Sequence, residues 1–193
     1  MTTPNTVQVT FRLSGSMIRS TRPDLPVDRR RMWAFDALYW TRSLMSQLAV
    51  FRSAVNEEIG LLQVAPSQMP RLAARTSFAE HVTMVAANHL FDVLKGTPRN
   101  SAARTAIPEA DLNCLRLLRD VYEHWQQHRF APPEAPRQAE QALKQLYPTA
   151  EPWQAEVHPD GRVLIARFVD VSALIEKLEV LEGLLQQETE LSR

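Results

Sequence analysis

Between Trp33 and Val55 an apolar side chain returns every three or four residues: Trp33, Ala37, Trp40, Leu44, Leu48, Phe51 and Val55. At the helical period these positions fall on one stripe, so the stretch predicts a long helix that must bury that stripe against partners. Asp28, just after Pro26, supplies an N-cap and Gly60 a stop, with a proline-bounded loop from Ala65 to Pro70. A second helical pattern runs from Arg71 or Thr76 to Lys95, with Phe78, Val82, Val85, His89 or Leu90, and Val93 on one face and Gly96 as its C-terminal signal. A third, LNCLRLLRDVYEHWQQHR from Leu112 to Arg129, follows Pro108 and the first-turn carboxylates Glu109 and Asp111, which favour the positive end of a helix. Pro132, Pro133 and Pro136 end it, and Arg137 to Tyr147 offers a short fourth helix. With only 5 glycines in 193 residues, a glycine-turned sandwich or barrel is disfavoured, and the reading is a mainly α protein built on a bundle of three to four helices.

The ends of the chain read differently. Residues 1–27 form an irregular N-terminal arm, with Pro4, Pro23 and Pro26 and one short alternating run, Val7, Val9, Phe11 and Leu13, that suits an edge strand. After Pro148 the helical period gives way to alternation at Trp153, Ala155 and Val157, a turn at Pro159-Asp160-Gly161, and an apolar run from Arg162 to Val169. These predict a β-hairpin. Asp170 then caps a last helix striped by Val171, Leu174, Ile175, Leu178, Leu181 and Leu185. The expected organisation is therefore an arm (1–27), a bundle (28–147) and a hairpin-plus-helix unit (148–193). Because a lone two-stranded hairpin is marginal in water, that last unit must pack on the bundle or on another chain. Dimerisation or capture of a protein partner through it is one expectation.

Composition narrows the function classes. Basic and acidic residues balance at 22 each, but residues 1–100 carry 12 basic and 7 acidic side chains, so the two halves differ in sign. Such asymmetry fits either a basic face or two halves that attract each other. The single cysteine, Cys114, can form no internal disulfide and no thiolate cluster, and its apolar neighbours suggest a small buried hydrophobe. The N-terminus has no apolar leader-like core, and no run is long enough to cross a membrane, which gives a cytoplasmic expectation with no membrane partner. The chain has no Gly-rich phosphate loop, no G-x-S-x-G elbow and no Cys/His finger spacing, which removes the common nucleotide-binding, hydrolase and zinc-finger classes. No cofactor is called for.

Chemistry concentrates on the third helix. Residues four apart share a helix face, which places Asp120, His124 and His128 in one column and pairs Arg119 with Glu123 beside it. A carboxylate one turn from an imidazole can fix its tautomer, and a neighbouring guanidinium can stabilise charge developing on a phosphate. These are the parts needed to cleave RNA without a metal. The segment Arg119-Asp120-Val121-Tyr122-Glu123-His124 resembles the R-x4-6-H motif of the HEPN superfamily, across residues 28 to 130. That resemblance implies a small helical domain that often dimerises, commonly a metal-independent RNase in defence, toxin–antitoxin or RNA-processing systems. By the same resemblance His124 is the general acid or base, Arg119 the phosphate stabiliser and Asp120 the polar orienter. Arg75 with His81 is a second match to the spacing, and Gln126 stands where a toxin subgroup carries Tyr.

Two other readings use the same residues. His124 and His128 have the spacing with which a helix offers two imidazoles to a divalent metal, Asp120 could add a third ligand, and His81, His89 or Asp92 a further one from another helix. Alternatively, Arg119 with Glu123 and Asp120 with His124 are ordinary i, i+4 surface pairs, and the chain is a non-enzymatic interaction module. On an ideal helix residues five apart lie about 140° apart, so Arg119 and His124 converge on one phosphate only with a distorted helix end or a partner's help. His89, among Val85, Leu90 and Val93, suits a core-boundary residue, His158 a solvated turn, and Trp33 and Trp40 the core.

Overall fold

The computed structural model describes residues 29–62, 69–99, 101–127, 134–150, 155–158 and 160–191. The N-terminal arm and its alternating run, the Ala65–Pro70 loop up to residue 68, and His128 lie outside the described residues. Five α-helices follow in order: α1 (Arg29–Leu62), α2 (Met69–Leu94), α3 (Glu109–Gln127), α4 (Glu134–Leu146) and α5 (Val171–Leu191). Between α4 and α5 run three short strands, β1 (Ala155–Val157), β2 (Val163–Ile165) and β3 (Val169–Asp170). The fold is mainly helical with a small antiparallel sheet ahead of the last helix, as the sequence predicts.

The first two helices form a long antiparallel hairpin. Trp33 on α1 donates its indole N–H to the Val93 carbonyl near the end of α2 (3.1 Å), Trp40 stacks on His89 with ring centres 4.4 Å apart, and Glu57 accepts from Arg75 at the far end. Both tryptophans thus serve the helix interface, and His89 sits against an indole. The α1 stripe is as expected, with Ala37, Leu44, Leu48, Phe51 and Val55 buried. Its helix runs through Gly60 to Leu62, because a glycine inside a turn of hydrogen bonds weakens a helix by about 1 kcal/mol without ending it.

The expected face of α2 is present in part: Leu90 is buried, Val93 packs on the core and His89 on Trp40, while Val82 and Val85 are half-buried. Phe78 is 70% exposed, while Ala79, Glu80, Thr83, Met84, Ala86, Ala87, Leu90 and Leu94 are buried. Small residues let the α1 and α2 backbones approach closely, and the Thr41 and Thr83 hydroxyls hydrogen-bond back to the carbonyls of Ala37 and Ala79, so neither is left unsatisfied. α2 packs against α1 and against α3, and α4 closes on α3.

The segment Thr97–Ile107, expected to be a surface loop, is partly buried. It holds a short 3₁₀ turn (Ala102–Ala106) capped by Ser101, whose hydroxyl accepts from the Ala103 N–H, and this turn packs on α5. The expected hairpin is present, with Ala155 opposite Ile165 and Val157 opposite Val163, but the run from Arg162 to Val169 is not one strand. Ala166 and Arg167 take positive φ (51° and 58°), and the Phe168 N–H returns to the Ile165 carbonyl, so the chain reverses and adds β3 beside β2. Two successive left-handed residues are the signature of a type I′ hairpin turn.

Asp170 caps α5 as expected, accepting from the Ser172 and Ala173 N–H groups. The α5 stripe Val171, Leu174, Leu178, Leu181 and Leu185 is fully buried and belongs to the same apolar cluster as α1, α2 and α3. The C-terminal unit therefore packs on the bundle of its own chain. Arg42 with Glu182 and Lys177 with Asp111, both at 2.7 Å, tie α5 to α1 and to the start of α3.

Candidate functional site

The sequence motif falls on α3, which exists because one face of the segment is apolar and its first turn is acidic. Leu112, Cys114, Leu115, Leu117, Leu118 and Val121 are buried, and the Pro108 carbonyl accepts the Leu112 N–H at the first turn. That leaves Asn113, Arg116, Arg119, Asp120 and Glu123 on a half-exposed flank.

On this flank the charged groups form a ladder. The Asn113 side-chain oxygen accepts from Arg116 Nε and Nη2 (3.2 and 3.0 Å), and its amide donates to the Tyr147 hydroxyl at the end of α4. Arg116 Nη1 reaches Asp120 Oδ2 at 3.4 Å. Arg119 donates from Nε and Nη2 to the two Glu123 oxygens (2.9 and 2.6 Å), a two-pronged grip, and its Nη1 comes no nearer than 3.9 Å to Asp120 Oδ1. The expected Arg119–Glu123 pair is present, whereas the nearest described cation to Asp120 is Arg116. Phe91 on α2 lies beneath, with the Arg116 guanidinium 5.4 Å and the Lys95 ammonium 4.8 Å from its ring centre.

Beneath the flank, Tyr122 donates its hydroxyl to Glu80 Oε2 across the α2–α3 interface (2.9 Å). Burial drives the Glu80 carboxyl above its ordinary range, and the hydroxyl bond offsets part of that. Burial, then the Glu80 charge and the bond to it, hold the Tyr122 phenol protonated. The Cys114 thiol is pushed up to about 12 by burial and by Asp111, which makes it an inert core residue, as expected.

His124 stands one turn beyond Asp120 in α3, and its side chain lies outside the described residues, as does all of His128. Of the further ligands considered for a metal, Asp92 accepts from Lys95 and Asn88, and His89 stacks on Trp40. Among the described residues no three of His, Cys, Asp and Glu gather as a metal site. In the second R-x5-H match, Arg75 pairs with Glu57, and His81 Nδ1 is buried without a hydrogen-bond partner among the described residues. None of the helices among the described residues is long and apolar enough to cross a membrane.

Sequence reasoning passed over Arg116, Asn113, Tyr147, Phe91 and Glu80. The Arg116–Asp120 spacing was readable as an i, i+4 pair, but the Glu80–Tyr122 bond joins residues 42 apart, and nothing local announces it. No protein family, curated protein or solved structure matches this chain.

Proposed function

We propose that this is a HEPN-like protein that binds RNA and cleaves it without a metal, with Arg119, Asp120 and His124 as its working groups. The observation that carries this reading is the grip of Glu123 on one edge of the Arg119 guanidinium. A planar cation held at Nε and Nη2 keeps a fixed direction, and its Nη1 end stays at the half-exposed flank beside Asp120. A preoriented donor of this kind serves a phosphate whose negative charge grows in the transition state.

In the proposed reaction the 2′-hydroxyl oxygen attacks the adjacent phosphorus and the bond to the 5′-oxygen breaks, leaving a 2′,3′-cyclic phosphate and a 5′-hydroxyl. One proton leaves the 2′-hydroxyl and one arrives at the 5′-oxygen; His124 handles one of these transfers and solvent water the other. Asp120 orients, and Arg119 meets the phosphorane oxygens. The resemblance places such an activity in a defence or toxin–antitoxin setting, with a second copy of the chain as partner.

The test is incubation of labelled single-stranded RNA with the protein in EDTA, alongside Arg119→Ala and His124→Ala. The reading expects cleavage lost in both variants with the fold intact, and unchanged activity or binding in both would end it. A second reading, a non-enzymatic interaction module, is favoured by the mutual pairing of Arg116 with Asp120 and Arg119 with Glu123, which suits an ordinary solvated face. It expects that no RNA is bound or cut and that both substitutions are tolerated. Its version through the C-terminal unit is tested by light scattering on Val180→Glu, which places charge on the exposed side of α5 and leaves the buried stripe intact.

A further inference from the structure

Where α2 ends and α3 begins, the chain leaves a cavity of about 220 Å³ that the proposed reaction does not use. Phe91 and Leu94 of α2, with Ile107 ahead of α3, give it apolar walls, and Lys95, Arg104 and Glu109 give it charge. Its volume lies between the roughly 150 Å³ that holds a benzene and the roughly 300–1,000 Å³ of a site for a drug-sized molecule, so it suits a single ring.

The charges at this cavity are not spent on one another. The Arg104 guanidinium, on the exposed side of the 3₁₀ turn, has no hydrogen-bond or ion-pair partner among the described residues. The Glu109 carboxylate, in the first turn of α3, also has none among them. The Lys95 ammonium pairs with Asp92 at 2.8 Å, but both side chains are more than half exposed, and such a pair is weak enough for a phosphate to replace the carboxylate. The cavity is also continuous with the charged flank of α3. The Arg116 guanidinium lies 5.4 Å from the centre of the Phe91 ring, and its Nη1 reaches Asp120, beside Arg119, at 3.4 Å. Along the helix, Glu109 and Arg119 are separated by a rise of about 15 Å, with Arg116 between them.

We infer that the cavity is a nucleotide subsite for single-stranded RNA lying along α3, with a pyrimidine base in the cavity, Lys95 and Arg104 on the strand's phosphate, and Glu109 on the base. This rests on the reading of the chain as an RNA-binding protein and adds a base preference to it. Cytosine carries at its fourth ring position an amino group that donates hydrogen bonds, where uracil carries an oxygen that accepts them. A carboxylate only accepts, so Glu109 takes cytosine and disfavours uracil.

The test is fluorescence anisotropy in EDTA with labelled 2′-O-methyl oligocytidine and oligouridine, which lack the 2′-hydroxyl and so are not cut. The wild type is expected to bind oligocytidine about fivefold or more tightly than oligouridine, and Glu109→Gln, whose amide both donates and accepts, to level the two. Arg104→Ala is expected to weaken oligocytidine binding about tenfold and to lower the slope of log affinity against log salt by about 0.7, one phosphate contact of a single strand. Arg162→Ala removes an exposed cation of the hairpin, outside the cavity, and is expected to change binding by less than about twofold. All three positions are exposed, and circular dichroism confirms that each variant folds. Equal affinity of the wild type for the two oligonucleotides overturns the inference, because the base is then not read. An Arg104→Ala effect no larger than that of Arg162→Ala also overturns it, because attraction by net charge is then enough. Cleavage of unmodified RNA is measured separately. Cleavage indifferent to Arg104 and Glu109 ends the subsite and spares the activity, while cytidine-selective binding without cleavage ends the activity and spares the subsite.

Discussion

Tyr122→Phe removes one oxygen atom and tests how α2 and α3 are held together. Its hydroxyl reaches a Glu80 carboxyl that is only 8% exposed. A buried carboxylate deprived of a donor costs about 1–3 kcal/mol, so at pH 7 the substitution is expected to destabilise by about 2 kcal/mol. For a chain of this length that lowers Tm by about 4–8 °C. The loss depends on pH in a known direction. Burial raises the Glu80 carboxyl above 4.5 in the folded state, so folding takes up a proton there; its contribution is greatest below 4.5 and fades as pH rises through the folded value. Below 4.5 the group is neutral, and Tyr122→Phe is expected to cost about half as much, as for a bond between uncharged partners. In a Glu80→Gln background the cost is likewise about 1 kcal/mol at any pH, and Glu80→Gln itself flattens the local pH response. Urea unfolding of the four proteins of this cycle at pH 7 and near pH 4.5 measures the coupling. An equal penalty in both backgrounds and at both pH values would show that the carboxylate does not lean on the hydroxyl.

Leu178→Ala, at a fully buried position that joins α5 to the bundle, is expected to cost about 3 kcal/mol while unfolding by circular dichroism remains one transition, since α5 shares its core with α1 to α3. Separate transitions for the bundle and the C-terminal unit would contradict that. Arg167→Gly trades an exposed ion pair with Glu156 for a residue at ease at φ 58°, and is expected to raise the unfolding free energy read from urea denaturation by a net of about 0.5–1 kcal/mol, the left-handed penalty less a surface pair. Arg119→Ala, although it breaks a two-pronged bond, sits on one helix with its partner and should cost no more than about 0.5 kcal/mol in thermal melts. A larger loss would make Arg119 a structural residue and its effect on RNA hard to read as chemistry.

What the sequence made legible was whatever is local and large. The stripe from Trp33 to Val55, the acidic start of α3, the Asp170 cap and the α5 leucines are all periodic or adjacent in the chain. The α2 face was legible only at Leu90 and Val93, because the rest of its burial rests on Ala79, Thr83, Ala86 and Ala87, whose small size permits close backbone approach but carries little weight in a search for large apolar residues. β3 was missed because its turn uses Ala166 and Arg167, where the left-handed conformation ordinarily calls for Asn or Gly. At the candidate site the Arg119–Glu123 pair was visible as a spacing, while Glu80, Phe91 and Tyr147 arrive from other helices and leave no trace in the local sequence.

The pairing of the first and last helices has a consequence during synthesis. Arg42 and Glu182 are separated by 140 residues, which a ribosome adds on a timescale of roughly ten seconds or more. The α1–α2 hairpin can close early, but the side of α1 that packs on α5 must wait until α5 has emerged. A nascent chain stalled before Val171 should therefore be a favoured substrate for a ribosome-associated chaperone, and release of that chaperone should coincide with the emergence of Leu174 to Leu185.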